Sequence, residues 1–286
     1  MERKLPIPIT DTIKKRRSVR TFENRTLSAV DREKLTEFFK ELYNPFGVDV
    51  HIHMVDKSMD AGGEKLGTYG VIKGASTFLG VSVPRAEHAL IAAGYEFENL
   101  ILYATALGLG TVWLAATFSR DRFAKAMNIG VDQWFPAISP VGYPATKQSI
   151  RESLMRASMK SAQRKPWAEL FYQDNFCMPL TEQNAGDYIV PLEMLRLAPS
   201  ATNQQPWRVV KQGNIYHFYE THPAHLSSDE AKIKQVDLGI ALSHFHQTAL
   251  DRGLSGKFET ITQSGLDLPD NTWYGISWIC EGNNRR

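Results

Sequence analysis

Cysteine is scarce in this chain. Two occur in 286 residues, Cys177 and Cys280, far apart and in no metal-type spacing, which excludes a disulfide scaffold and a cysteine-held zinc site. Free thiols fit a reducing compartment, so a cytoplasmic location is expected. No apolar run approaches the ~20 residues that cross a bilayer. Residues 1–10 carry basic and proline residues without an apolar stretch, so they do not read as a signal peptide. An excess of charge is missing as well: 33 Lys plus Arg stand against 31 Asp plus Glu, leaving no global field for nucleic acid or an anionic membrane. Neither a GxGxxG segment nor a P-loop appears, which argues against a Rossmann-type nicotinamide domain. The eight histidines form no metal set: His51 and His53 would share a strand face without a third ligand, and His244 and His246 diverge on a helix. For His244, a satisfied core or surface role is the better reading, although it or Phe245 could line a substrate.

What is present is a globular chain, 43% apolar, long enough for one large domain or two modest ones. Thr10 or Asp11 can cap a short helix running to Lys15, and Ser28 with Asp31 resembles a capping box opening a helix to about Leu42. Residues 48–55 and 77–83 read as strands. Phe97, Leu100, Ile101, Ala104 and Leu107 recur at helical spacing, predicting a central amphipathic helix over 90–107 that Gly108 and Gly110 end. Strands are expected at 112–116 and 138–142, a polar connector at 147–165, a helix at 190–197, paired strands at 208–210 and 215–219, a helix at 236–251 and a late strand at 273–280. At an offset of 145 residues Gly94 matches Gly239, Leu100 matches Phe245, Ala104 matches Ala249, Gly108 matches Gly253, Leu109 matches Leu254 and Trp113 matches Phe258. Both halves could therefore hold the same central helix, although any two Gly-bounded helices can align in this way.

Two segments carry chemistry. Arg16-Arg17-Ser18-Val19-Arg20-Thr21-Phe22 offers two guanidinium forks and a hydroxyl at a helix boundary, which suit a phosphate. Alone, Lys14-Lys15-Arg16-Arg17 would read as a solvated basic patch or a localisation signal, with nucleic-acid binding a remote alternative. Far downstream, Ala198-Pro199-Ser200-Ala201-Thr202-Asn203-Gln204-Gln205-Pro206-Trp207 supplies short amide and hydroxyl groups that can face the edge of a planar heterocycle. Together the two describe a bound flavin mononucleotide and reverse the preference for a solvated patch.

At these residues, and in the segment from Asn99 to Ala116, the chain resembles the FMN-dependent nitroreductase family. The resemblance implies an α+β nitroreductase-like fold with FMN as cofactor. Family members are usually homodimers with FMN sites across the interface. Here each motif occurs once, one in each half, and Leu42-Tyr43-Asn44-Pro45-Phe46 stands where a second PSxxN turn would be expected. The chain is thus expected to be a monomer acting as a fused pseudo-dimer with one site. The first half would span 1–150, the connector 151–187 and the second half 188–286.

By resemblance, Arg16, Arg17 and Ser18 hold the phosphate and Arg20 lies near the N1/O2 edge of the ring. Pro199, Ser200, Ala201 and Asn203 approach the ring and ribityl chain. Ala115 and Ala116 fall where the family directs a backbone N–H toward flavin N5, and Arg164 after the Gly142-Tyr143-Pro144 turn adds to the phosphate shell with Lys165 as the fallback. The implied activity is two-electron, ping-pong reduction of nitroaromatics, quinones or enones by NAD(P)H, with no metal and no dedicated catalytic acid. A specialised member acting in reductive dehalogenation or flavin breakdown, and a flavin-binding sensor without catalysis, are the alternatives.

Overall fold

A computed structural model describes residues 3–57, 66–146, 163–223, 228–261 and 265–281, without the side chains of 228–231. Much of the expected connector, from 147 to 162, lies outside the described residues.

The first half runs α1 (Ile9–Lys15), α2 (Ala29–Lys40), β1 (His51–Asp56), β2 (Thr77–Pro84), α3 (Ala89–Ala106), β3 (Gly110–Thr111), α4 (Arg120–Ala126) and β4 (Gln133–Gly142). Its antiparallel sheet has the order β1-β2-β4-β3. The chain continues with β5 (Phe171–Gln173), α5 (Glu182–Ala185), α6 (Ile189–Arg196), β6 (Trp207–Gln212), β7 (Ile215–Thr221), α7 (Ser228–Asp251), β8 (Gly256–Glu259) and β9 (Thr272–Cys280). The second sheet has the order β5-β6-β7-β9-β8. Set α1, α4, β5 and α5 aside and the two halves repeat one plan: a helix, a turn, two strands, a long helix, a short strand and a closing strand, in the sheet order first, second, fourth, third. The fold is nitroreductase-like α+β, with two related halves in one chain. β5 lies in the stretch expected to be connector, yet pairs in parallel with β6, Phe171 opposite Val209.

α3 and α7 cross at the centre. A Cβ on Gly94 would sit 2.2 Å from the carbonyl oxygen of Val236, and one on Gly239 would sit 2.0 Å from that of Ile91. These two approaches are one contact repeated, since 91 and 94 become 236 and 239 under the offset of 145. The pseudo-twofold axis passes through this crossing. Only glycine admits so close a backbone approach.

α3 is not the amphipathic helix expected from its spacing. Every residue from Ala89 to Leu102 is buried, because one side meets β2 and the other meets α7. Its polar residues are paired inside: Asn44 Nδ2 donates to Glu96 Oε1 (2.5 Å), Trp113 Nε1 donates to Glu98 Oε2 (2.7 Å), and Ser243 Oγ donates to Asn99 Oδ1 (2.8 Å).

Other boundaries shift for local reasons. α1 begins at Ile9 after Pro8, without a side-chain cap, so neither Thr10 nor Asp11 is its cap. α2 starts as read, with Ser28 Oγ accepting from the Asp31 N–H at 3.1 Å. No strand forms at 112–116: β3 lies just before it at Gly110–Thr111, and the stretch itself has one isolated bridge, between Leu114 and Ile138.

Candidate functional site

Between the halves lies a cleft of about 580 Å³. One wall comes from the segment after α1, from 112–117 and from β4. The other comes from the turn at 199–203 and from α7, with Arg164 closing one end. The volume falls in the ~300–1,000 Å³ range of small-molecule sites.

Alternation sets which residues of the basic segment face inward. α1 stops at Lys15, and Arg16 turns the chain into extended backbone (φ −56°, ψ 129°). Residues 18–22 then run beside the first sheet, with Val19 N–H bonded to the Thr111 carbonyl (2.9 Å) and Phe22 N–H to that of Lys73 (2.8 Å). Extended chain sends successive side chains to opposite sides. Arg16, Ser18 and Arg20 accordingly line the cleft, while Val19 is buried against Gly110. Arg17 is exposed and lies with Lys14 and Lys15 along an adjoining groove.

The second motif is a strained turn. Thr202, Asn203 and Gln205 have φ of 50°, 58° and 50°, each costing roughly 1 kcal/mol or more for a residue with a Cβ. Several bonds hold it. The Asp237 carboxylate accepts from the Ala201 N–H (3.0 and 3.2 Å), Ser200 Oγ accepts from the Gln205 N–H (2.8 Å), and Gln205 Oε1 accepts from the Lys165 N–H (2.7 Å). Pro199, Ser200, Ala201, Thr202 and Asn203 line the cleft. Lys165 does not; its ammonium turns to the Gln205 carbonyl at 3.4 Å. Ala115 and Ala116 line the opposite wall, where Arg120 pins their loop by donating to the Ala115 carbonyl (2.7 Å).

The cationic end is under electrostatic load. Arg16 Nε forms no hydrogen bond among the described residues, and its nearest counter-charge, Glu98 Oε1, is 3.8 Å away. Burial lowers the proton affinity of its guanidinium, with Glu98 only partly opposing the shift. Arg164 is pushed down to about 10, by burial first and then by Arg16 and Arg196. It also donates to Asn203 Oδ1 (3.3 Å) and to the Leu197 carbonyl (3.0 Å), tying the cationic end to the turn. Half-buried guanidinium groups that repel each other are an arrangement that an anion stabilises.

Glu98 is the residue sequence reasoning missed beneath this end. Fully buried, it accepts from Trp113 and faces His244 Nε2 at 3.0 Å, while His244 Nδ1 meets the Met194 carbonyl at 3.0 Å. A carbonyl only accepts, so Nδ1 carries a hydrogen. His244 is a satisfied core residue, in keeping with the better of its two readings. Asp237 was also missed, although a carboxylate beside Ile233, Val236 and Ile240 on one helix face is a visible anomaly in the sequence.

Against known proteins, the family model described as "Putative TM nitroreductase" matches residues 8–249. The chain belongs to this nitroreductase family. A Thermotoga maritima structure described as a "putative nitroreductase" is similar over 98% of this chain and 96% of its own, at 21% identity and a TM-score of 0.61, so the two share a fold. A Bacteroides fragilis nitroreductase with bound FMN is 18% identical over 50% of this chain and 91% of its own, with a TM-score of 0.40. A Bacteroides thetaiotaomicron protein described as a "Putative NADH dehydrogenase/NAD(P)H nitroreductase" is 24% identical over 49% of this chain and 88% of its own, with a TM-score of 0.39. No curated protein matches the chain. Among the described residues of this nitroreductase-family chain, no helix is long and apolar enough to cross a membrane, and no cluster of three metal-ligating side chains occurs.

Proposed function

We propose that the cleft holds FMN and that the chain is an NAD(P)H-dependent oxidoreductase reducing nitroaromatic, quinone or related small electrophilic acceptors. The observation that carries this reading is the buried Arg16, which lacks a hydrogen-bond partner at Nε and faces the same cavity as the Pro199–Asn203 turn. The donor set fits the group. Arg16, Ser18 and Arg164 would take the phosphate. Arg17 and Lys165 would add outer charge from the adjoining groove and the far side of the turn. Arg20, 9% exposed, would face the ring edge where negative charge collects on reduction. Pro199, Ser200, Ala201 and Asn203 would contact the ring and ribityl chain, and the Ala115–Ala116 backbone would face N5.

When bound, FMN supplies two-electron chemistry, accepting hydride from a nicotinamide and yielding it to an acceptor. The chain's own residues bind and orient. Val112 and Leu114 on one wall and Val236 and Ile240 on the other make the cleft apolar, and donor and acceptor would use it in turn. Two methyl groups at Ala115 and Ala116 narrow the space beside the ring and restrict acceptor size. The working unit is one chain, with 1–150 and 188–286 as its halves joined through 151–187, in a cytoplasmic setting.

Anaerobic spectroscopy tests the proposal. Purified protein should be yellow and should bleach on addition of NADH or NADPH, then recover colour with a quinone. Protein that takes up no FMN sinks the cofactor assignment, and protein that stays yellow with both nicotinamides is a flavin binder without this activity.

A further inference from the structure

Asp237 is the only carboxylic acid among the described residues that line the cleft; the other ionisable groups there are Arg16, Arg20, Arg120, Arg164 and Lys234. It sits on α7, 6% exposed, with both oxygens turned to the Ala201 N–H. Each oxygen keeps a further lone pair, so the bond to Ala201 leaves room for a proton. Glu220 on β7 is 4% exposed, has Oε2 without a hydrogen-bond partner among the described residues, and feels the charge of Asp237. Under the internal repeat the position of Asp237 corresponds to Ala92. The carboxyl therefore exists only on the side that has an open cleft.

We propose that Asp237 delivers the proton that accompanies hydride transfer to the acceptor. The inference rests on the FMN reading above. For a quinone the balance is simple. One hydride, carrying both electrons, leaves the bound cofactor for the quinone, the O–H bond of Asp237 breaks, and its proton joins the quinone oxygen to complete the hydroquinone. Asp237 is left as a carboxylate and regains its proton from solvent.

The electrostatics agree with this placement. Burial raises the Asp237 carboxyl to about 6, against the opposing pull of the Ala201 N–H and Lys234. Burial, with repulsion from Asp237, raises Glu220 to about 8. The Asp237 carboxyl thus still holds its proton in a minority of molecules at neutral pH and in most below about 6. The other charged or titratable groups facing Asp237 and Glu220 are Lys234 on α7 and His222 at the end of β7, whose Nε2 is 3.8 Å from Glu220 Oε1; the turn contributes only uncharged residues.

Asp237→Asn keeps an oxygen for the Ala201 N–H and removes the proton, so it separates delivery from positioning. In the FMN-loaded protein, reduction by nicotinamide should stay within about twofold of wild type, because that step needs no proton from the wall. Reoxidation by menadione at pH 7 should slow by roughly 100-fold, the scale of general acid catalysis, and lose its solvent isotope effect and its decline with rising pH. Infrared difference spectra of the flavin-free protein between pH 5 and 7.5 should show a protonated-carboxyl band that Asp237→Asn removes. Equal slowing of both half-reactions, no slowing, or release of FMN by the variant would overturn the proposal. Wild-type protein that takes up no FMN fails the cofactor reading instead, while the infrared band still reports on Asp237; FMN bound with no such band overturns this inference alone.

Discussion

Replacing Gly94 or Gly239 by alanine sets two known effects against each other. Alanine is the better helix former by about 1 kcal/mol, so propensity alone makes either change stabilising. The crossing opposes it. At Gly239 the new Cβ falls short of ordinary 3.4 Å contact with the Ile91 carbonyl oxygen by about 1.4 Å, and at Gly94 it falls short of the Val236 oxygen by about 1.2 Å. Both obstacles are helix backbone, which has no rotamer to yield. The helices must separate, and a gap of even 0.5–1 Å forfeits about a quarter to a half of each dispersion contact along the seam. Overpacking of this kind costs about 1–3 kcal/mol, and rigid obstacles place it at the upper end or beyond.

The net expectation is a loss of about 2 kcal/mol for each variant, or a fall of roughly 4–8 °C in melting temperature for a domain of this size. The double variant should cost less than the two losses added, because one separation of the helices accommodates both methyl groups. FMN affinity should fall as well, since the cleft takes one wall from each half. Urea denaturation followed by circular dichroism, with flavin fluorescence for binding, reads each quantity. Variants that gain the ~1 kcal/mol of propensity would refute the close crossing and the axis drawn through it.

Arg16→Ala combined with Ser18→Ala should yield largely colourless protein with an unchanged melting temperature in the flavin-free state, whereas full FMN retention would move the phosphate elsewhere. Glu96, 5% exposed and raised to about 7 by burial, binds a proton more tightly in the folded chain than its ordinary 4.5 allows. Its contribution is therefore complete below about pH 4.5 and lost as pH rises through 7, a decline of roughly 3 kcal/mol that Glu96→Gln should abolish in denaturation measured from pH 5 to 8. Titration of the flavin-free protein should end at one FMN per chain, and two equivalents would contradict the closed second site described below.

The motifs were legible because their chemistry is concentrated: Arg16, Ser18, Arg20 and Pro199 to Asn203 meet in one cleft although more than half the chain separates them. Arg17 faces the adjoining groove for a reason also present in the sequence, the alternation that begins once α1 stops at Lys15. The spacing of Phe97, Leu100, Ile101, Ala104 and Leu107 marked one apolar face of α3 but could not show that Glu96, Glu98 and Asn99 are paired inside as well. Their partners Asn44, His244 and Ser243 lie too far along the chain for a periodicity argument to find. α4, β5 and β8 escaped notice because they are short, and short elements owe their form to neighbours more than to their own propensity.

The two halves have diverged around the axis in one consistent direction. The contact between Glu98 and His244 has a twin between Ser243 and Asn99, so one arm carries charge toward Arg16 and the other a neutral hydrogen bond. Trp113 and Ala115, on the wall of the open cleft, correspond to Phe258 and Thr260; Ile233 and Ile240 correspond to His88 and Tyr95. In the twin position the turn after α2 sends Phe46 inward, 5.6 Å from the Tyr95 ring and 5.4 Å from that of Phe258, while His88 Nε2 lies 3.0 Å from Thr260 Oγ1 across what would be the mouth. Aromatic rings occupy the space that a planar cofactor would need. Packing of this kind adds apolar burial and ring contacts worth about 0.5–1.5 kcal/mol per pair. In a two-site homodimer every interface residue must serve both sites, so neither can be filled without losing the other. Fusion removes that constraint, and in this chain the twin position holds Phe46 packed against Tyr95 and Phe258.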